Sequence, residues 1–150
     1  MTEDPANRRR NGGSRTRFVL QVIPMSRPEI VASPTGPAVI HNSDFSLVTP
    51  ANPARSGEIL TLWTAGMGPT RPGVEPGQPF TVFPLQIVSS PVEVTINGVQ
   101  AQVLYAAGSP GAVDGYQVDI RLPAGITPGM ASLQVSAAWI PGPEVKIAIQ

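Results

Sequence analysis

The chain has 150 residues, ten Lys and Arg balanced by ten Asp and Glu, one histidine and no cysteine, which fits one domain able to bury about two thirds of its unfolded surface. Its 18 prolines and 15 glycines are more than a fifth of all residues, against roughly 12% in ordinary chains, and they exclude long helices because proline removes a donor and glycine weakens a helix interior. Without cysteine there is no disulfide, thiolate nucleophile or thiolate metal site, and no apolar run approaches the ~20 residues of a membrane span.

The first element is a tail. Residues 1–16, and Arg17 after them, carry Arg8, Arg9, Arg10, Arg15 and Arg17 against only Glu3 and Asp4. Having almost nothing apolar to bury, this basic leader is expected to be disordered. "FVLQVI" (18–23) is too short for the apolar core of a secretory signal and runs into Pro24, so no signal peptide is read here. Arginines can neutralise phosphates, but no aromatic platform or basic groove follows, which argues against nucleic-acid binding.

Residues 17–52 form a proline-rich lead-in, where "RFVLQVI" and "AVIHNSDFSLV" offer one or two strands. Prolines 24, 28, 34, 37 and 50 restrict them to sheet edges. From 53 to 150 the period of two takes over. "GEILTLWTA" (57–65) is a strand, and a turn-rich connection covers 66–83, with a weak strand at 85–88 after it. "VEVTINGVQAQVLYA" (92–106) is a hairpin. Val92, Val94 and Ile96 share one face, Asn97-Gly98 makes a type I′ turn, and Ala101, Val103 and Tyr105 return. "YQVDIRL" (116–122) points Tyr116, Val118, Ile120 and Leu122 inward and Gln117, Asp119 and Arg121 outward. "ASLQVSAAW" (131–139) and "PEVKIAIQ" (143–150) repeat the alternation, and the sequence ends on a strand.

Six strong strands and a weak seventh, at spacings near ten residues, predict an all-β fold: an immunoglobulin-like antiparallel β-sandwich held by apolar packing alone. Glycines should shape its corners. Gly66 and Gly68 in "GMGPT" allow positive φ and close strand approach, Gly108, Gly111 and Gly115 bend the chain into the 116–122 strand, and Gly129 opens the next.

"PARSGEILTLWTAGMGPTRPGVEPGQP", "SPVEVTINGVQAQVLYAAGSPGAVDGYQVDIRLPAGITPGMASLQVSAA" and "PEVKIAIQ", in that order, resemble a C-terminal domain found at the ends of large acidobacterial-type exported proteins. That domain carries a glycine-bounded first strand, a G-x-G-P-T corner, an N-G-V hairpin, a P-G-x-x-G-x-Y-Q-V element and a P-A-G-x-x-P-G turn. The likeness covers Pro53 to Gln150, and "AVIHNSDFS" is similar to the lead-in that precedes such domains. It implies an immunoglobulin-like sandwich akin to IPT/TIG domains and an extracellular or cell-surface setting, but no activity. Asp119 stands where members often have asparagine, and "AAWIPGPEV" replaces their usual approach to the last strand. Members sit behind a signal peptide and a long repeat or propeller region, so this chain reads as an isolated module or a fragment.

Chemistry is sparse. His41, with Asp44 three positions on, reads as a solvent-facing loop histidine, and no G-x-S-x-G elbow presents a nucleophile. Asp114 and Asp119 are too few and too separated for a calcium loop. Glu58, Glu75, Glu93 and Glu144 fall at strand starts, turns or outward positions rather than as a catalytic pair. "GMGPT" lacks the lysine and helix of a phosphate loop. No catalytic residue, metal or cofactor is assigned. Trp63 and Trp139 are the candidate binding residues, because an exposed indole can stack on a sugar or anchor a protein. The function expected is a non-catalytic structural or protein-interaction module, whose partners are other domains, proteins or surface glycans. The alternative is a carbohydrate-binding accessory domain, favoured if either tryptophan lies exposed on a flat sheet face.

Overall fold

The computed structural model describes residues 27–150. The expected strand at 17–23 and the tail at 1–16 lie outside them. The described residues are all-β, with thirteen strands and no helix. Four short strands come first: β1 (Glu29–Ile30), β2 (Ala32–Ser33), β3 (Gly36–Pro37) and β4 (Val39–His41). The others are β5 (Ile59–Ala65), β6 (Thr70–Arg71), β7 (Ile87–Val88), β8 (Val92–Ile96), β9 (Val99–Gly108), β10 (Tyr116–Arg121), β11 (Gly129–Ala137), β12 (Ile140–Pro141) and β13 (Val145–Ile149). The long ones, β5, β8, β9, β10, β11 and β13, are the six that alternation picks out, and β7 is the weak seventh.

All named strand pairs are antiparallel. The main sheet runs β1-β5-β10-β9-β8-β11-β12, with β4 on β5, β13 on β11, and β6-β7 attached to β9. It curls into a sandwich-like arrangement because β9 serves two layers. Its first half pairs with β8, from Val94↔Ala101 to Ile96↔Val99, and its second half with β10, from Tyr116↔Gly108 to Arg121↔Gln102.

The partner changes between Ala101 and Gln102, and a bulge follows just beyond. Asp119 faces Tyr105 and Ile120 faces Val103, so Leu104 is the extra residue. An inserted residue reverses which face the following side chains occupy. Val103 and Ala106 pack against the core while Tyr105 faces outward beside Asp119, which corrects the expectation that Ala101, Val103 and Tyr105 share a face.

Inward positions of both layers close the core. Leu60 and Leu62 of β5, Val118 and Ile120 of β10, Val94 and Ile96 of β8, and Leu133 and Val135 of β11 are fully buried. Each such side chain contributes about 1.5–3 kcal/mol of transfer free energy, so apolar contact suffices where disulfides are absent. Asn97 and Gly98 both take positive φ, at 50° and 79°, and join β8 to β9 by the two-residue turn that matches strand twist. The lead-in shares this core: Ile30, Val39 and Val48 are buried in the same cluster, and β1 and β4 pair with successive halves of β5.

Candidate functional site

The outer face of the β5-β10-β9 layer collects polar and aromatic side chains in two rows. In one, Trp63 lies opposite Gln117. In the next, Thr61 lies opposite Asp119, which in turn faces Tyr105. The Thr61 hydroxyl, 1% exposed, donates to Asp119 Oδ1 at 2.7 Å and accepts from Asn42 Nδ2 at 3.0 Å. Gln117 Nε2 donates to the same Oδ1 at 3.1 Å. The carboxylate is thereby fixed on the face that also carries two half-buried rings, Trp63 and Tyr105. Burial, and then the charge of Asp119, hold the Tyr105 hydroxyl above its ordinary pKa, so it stays protonated as a donor.

Trp139 sits elsewhere. The 131–139 strand expected from alternation ends at Ala137, and the chain reverses over Ala138 and Trp139 into β12. Both turn residues have positive φ, 50° and 64°. Neither is glycine or asparagine, so sequence patterning gave no turn signal there. A left-handed conformation costs about 1–2 kcal/mol per ordinary L-residue. It is held by pairing on both sides, since Ala138 N–H donates to Pro91 O and Gly142 N–H to Val135 O. The result is an indole 74% exposed at a hairpin tip, beside Ile140 at 40%. The two tryptophans therefore divide the expected properties: Trp63 is on a sheet face but half-buried, and Trp139 is exposed but on a turn.

His41 corrects a sequence expectation. It is buried at the end of β4, and its partner is Glu58 rather than Asp44. Its Nδ1 meets Glu58 Oε2 and its Nε2 donates to the Asn52 carbonyl at 3.0 Å. Two acceptors require two ring N–H groups, so the ring is an imidazolium without a lone pair for base catalysis or metal ligation. Burial pushes its pKa down, but the hydrogen bonds to Glu58 and Asn52 and the charges of Glu58 and Asp44 more than offset this, raising it above the ordinary value. Glu58 Oε1 also accepts from Arg55 N at 2.8 Å. These groups border a polar cleft of about 480 Å³. Asp44 instead accepts from the Ser46 hydroxyl and N–H, which lower its pKa.

The remaining acids are not gathered. Asp114 Oδ1 accepts from Gly66 N at 3.1 Å, apart from the Asp119 cluster, and no group of three or more His, Asp or Glu able to hold a metal exists among the described residues. No helix among them is long and apolar enough to cross a membrane.

Gly66, Gly68, Gly98, Gly111 and Gly129 take positive φ; Gly108 and Gly115 do not. Gly108 is needed for another reason: the Phe80 ring lies directly over it, where a Cβ would stand. Phe80 in turn packs on Tyr116 at 5.0 Å between centroids. The Tyr116 hydroxyl donates to Gly68 O at 2.6 Å, and burial, with the nearby Asp114 carboxylate, pushes its pKa up to about 12. Gln86, 1% exposed, ties the long 66–86 connection together by accepting from Thr70 Oγ1 and Gly73 N and donating to Thr81 Oγ1. Neither clasp has a local sequence signal, because Tyr116 reaches back to Gly68 and Gln86 to Thr70 and Gly73 across more than ten residues.

The chain matches no family model, no curated protein and no solved structure. The functional reading rests on this geometry and on the resemblance of its motifs.

Proposed function

We propose that this chain is a non-catalytic structural and protein-interaction module, an immunoglobulin-like sandwich of an extracellular or cell-surface bacterial protein. The observation that carries the reading is Trp139. Exposing a large indole at the tip of a hairpin that strains two consecutive backbone positions opposes folding, and such strain persists where it serves a site. Tryptophan is the side chain most enriched among binding hot spots, and an exposed Ile140 beside it widens the apolar contact. The setting outside the cell follows from the motif resemblance.

The test is a photo-crosslinking residue, p-benzoylphenylalanine, placed at position 139 in the full chain produced in bacteria, with the equally exposed position 45 as control. A discrete adduct with another protein at 139 and not at 45 supports the module. The same yield at both positions, or turnover of a substrate by the purified chain, rejects it.

A carbohydrate-binding accessory role is the second reading. It is favoured by two adjacent rows of the outer face, Trp63 beside Gln117 in one and Asp119 beside Tyr105 in the next.

A further inference from the structure

Tyr105 faces solvent only because of the bulge at Leu104. With uninterrupted alternation it would follow Ala101 and Val103 toward the core, where an apolar residue would serve. Bulges recur where a strand must re-aim one side chain toward a site. Here the redirected ring lands beside Asp119, on the face that also carries Trp63. The two rings are two strands apart and one side-chain step along, about 12 Å between Cα atoms from ordinary sheet spacing.

Between the rings stand groups with unused hydrogen-bonding capacity. Among the described residues, Asp119 Oδ2 has only a 3.4 Å contact from Gln117 Nε2, and neither Gln117 Oε1 nor the Tyr105 hydroxyl has a hydrogen-bond partner. Asp119 itself is fixed by the buried Thr61 hydroxyl, itself bonded to Asn42. The platform is therefore preorganised: ligand hydroxyls would meet acceptors already in position, with little side-chain entropy left to lose.

We propose that this face binds a neutral oligosaccharide, with sugar rings stacked on Trp63 and Tyr105 and hydroxyls bonded to Asp119 and Gln117. The inference rests on the carbohydrate reading above and names its site. A pyranose offers an apolar C–H face to an aromatic ring and hydroxyls around its rim, and the platform alternates ring, amide, carboxylate and ring to match. The Asp119 carboxylate at its centre repels uronates and sulfated sugars, which sets the ligand class as neutral.

The experiment uses the full chain with Trp139→Phe, so that Trp63 is the sole tryptophan, titrated with cellohexaose, xylohexaose and chitohexaose while its emission is followed. At least one oligosaccharide should shift the Trp63 emission saturably. Trp63→Ala in the native chain, followed by calorimetry, should weaken binding by about tenfold or more. Tyr105→Phe and Asp119→Asn should each weaken it severalfold, with thermal melts near that of the parent. Loss of oligosaccharide binding with Trp139→Ala, and none with Trp63→Ala or Asp119→Asn, overturns this site while leaving the carbohydrate reading intact. Tighter binding of polygalacturonate than of the neutral sugars also overturns it. Failure of the native chain to bind any of the three oligosaccharides overturns both.

Discussion

Replacing Glu58 with glutamine isolates the charge of the His41 pair. The glutamine carbonyl can still accept from His41 Nδ1, but its NH2 group must then face the Arg55 N–H that Glu58 Oε1 accepts from at 2.8 Å. Charge-assisted hydrogen bonds contribute about 1.5–3 kcal/mol. Near pH 6, below the unfolded-state pKa of His41, the variant should lose about that much, or roughly 3–12 °C in Tm for a domain of this size. The pH dependence carries the sign. His41 has a folded-state pKa above its unfolded value of about 6.5, so the pair's contribution is complete below that unfolded value and disappears as pH rises through the folded one. The gap between wild type and Glu58→Gln should therefore be largest at pH 5.5–6 and narrow toward pH 9 to the part left by the lost Arg55 contact. Melts by circular dichroism across that range measure the gap, and the single histidine gives one NMR titration curve. A gap that does not change with pH, or a wild-type midpoint below about 6.5, would refute the imidazolium assignment.

The hairpin tip makes an opposite prediction. Changing Ala138→Asn together with Trp139→Gly installs residues that accept positive φ, and should raise stability by about 1–2 kcal/mol while removing any binding that depends on the indole; an unchanged or lower melting temperature means that the turn is unstrained. Gly108→Ala should destabilise by about 1–3 kcal/mol because the added methyl displaces the Phe80 ring from Tyr116. A near-neutral effect in chemical denaturation would show that Phe80 is free to move.

The elements easiest to read in the sequence are those whose partners are local or whose faces are uninterrupted. Tyr116 to Leu122 alternates without a break, and Tyr116, Val118, Ile120 and Leu122 are all buried. Asn97-Gly98 carries its turn in its own chemistry. Around His41 a sequence window shows only Asp44, three positions away, while the carboxylate that holds the ring is Glu58, brought near only when β4 pairs with β5. Alternation carries a strand through Trp139 because nothing in Ala138-Trp139 favours a left-handed turn. Packing of the flanking strands imposes that turn from outside.

Tyr105 shows most directly how architecture and candidate site are linked. A strand that pairs with β8 at one end and β10 at the other must bend between two layers, and one extra residue supplies the bend. That residue, Leu104, also inverts the alternation, so the device that lets the sheet curl over its core is the one that sets an aromatic ring beside Asp119. Deleting Leu104 separates the two effects. If the bulge is required for closure, the deletion variant loses cooperative unfolding. If closure does not need it, the variant folds with Val103 opposite Ile120 and Tyr105 opposite Asp119 as consecutive pairs, so that Tyr105 stays outward and its hydroxyl remains accessible to solvent in ultraviolet difference spectra.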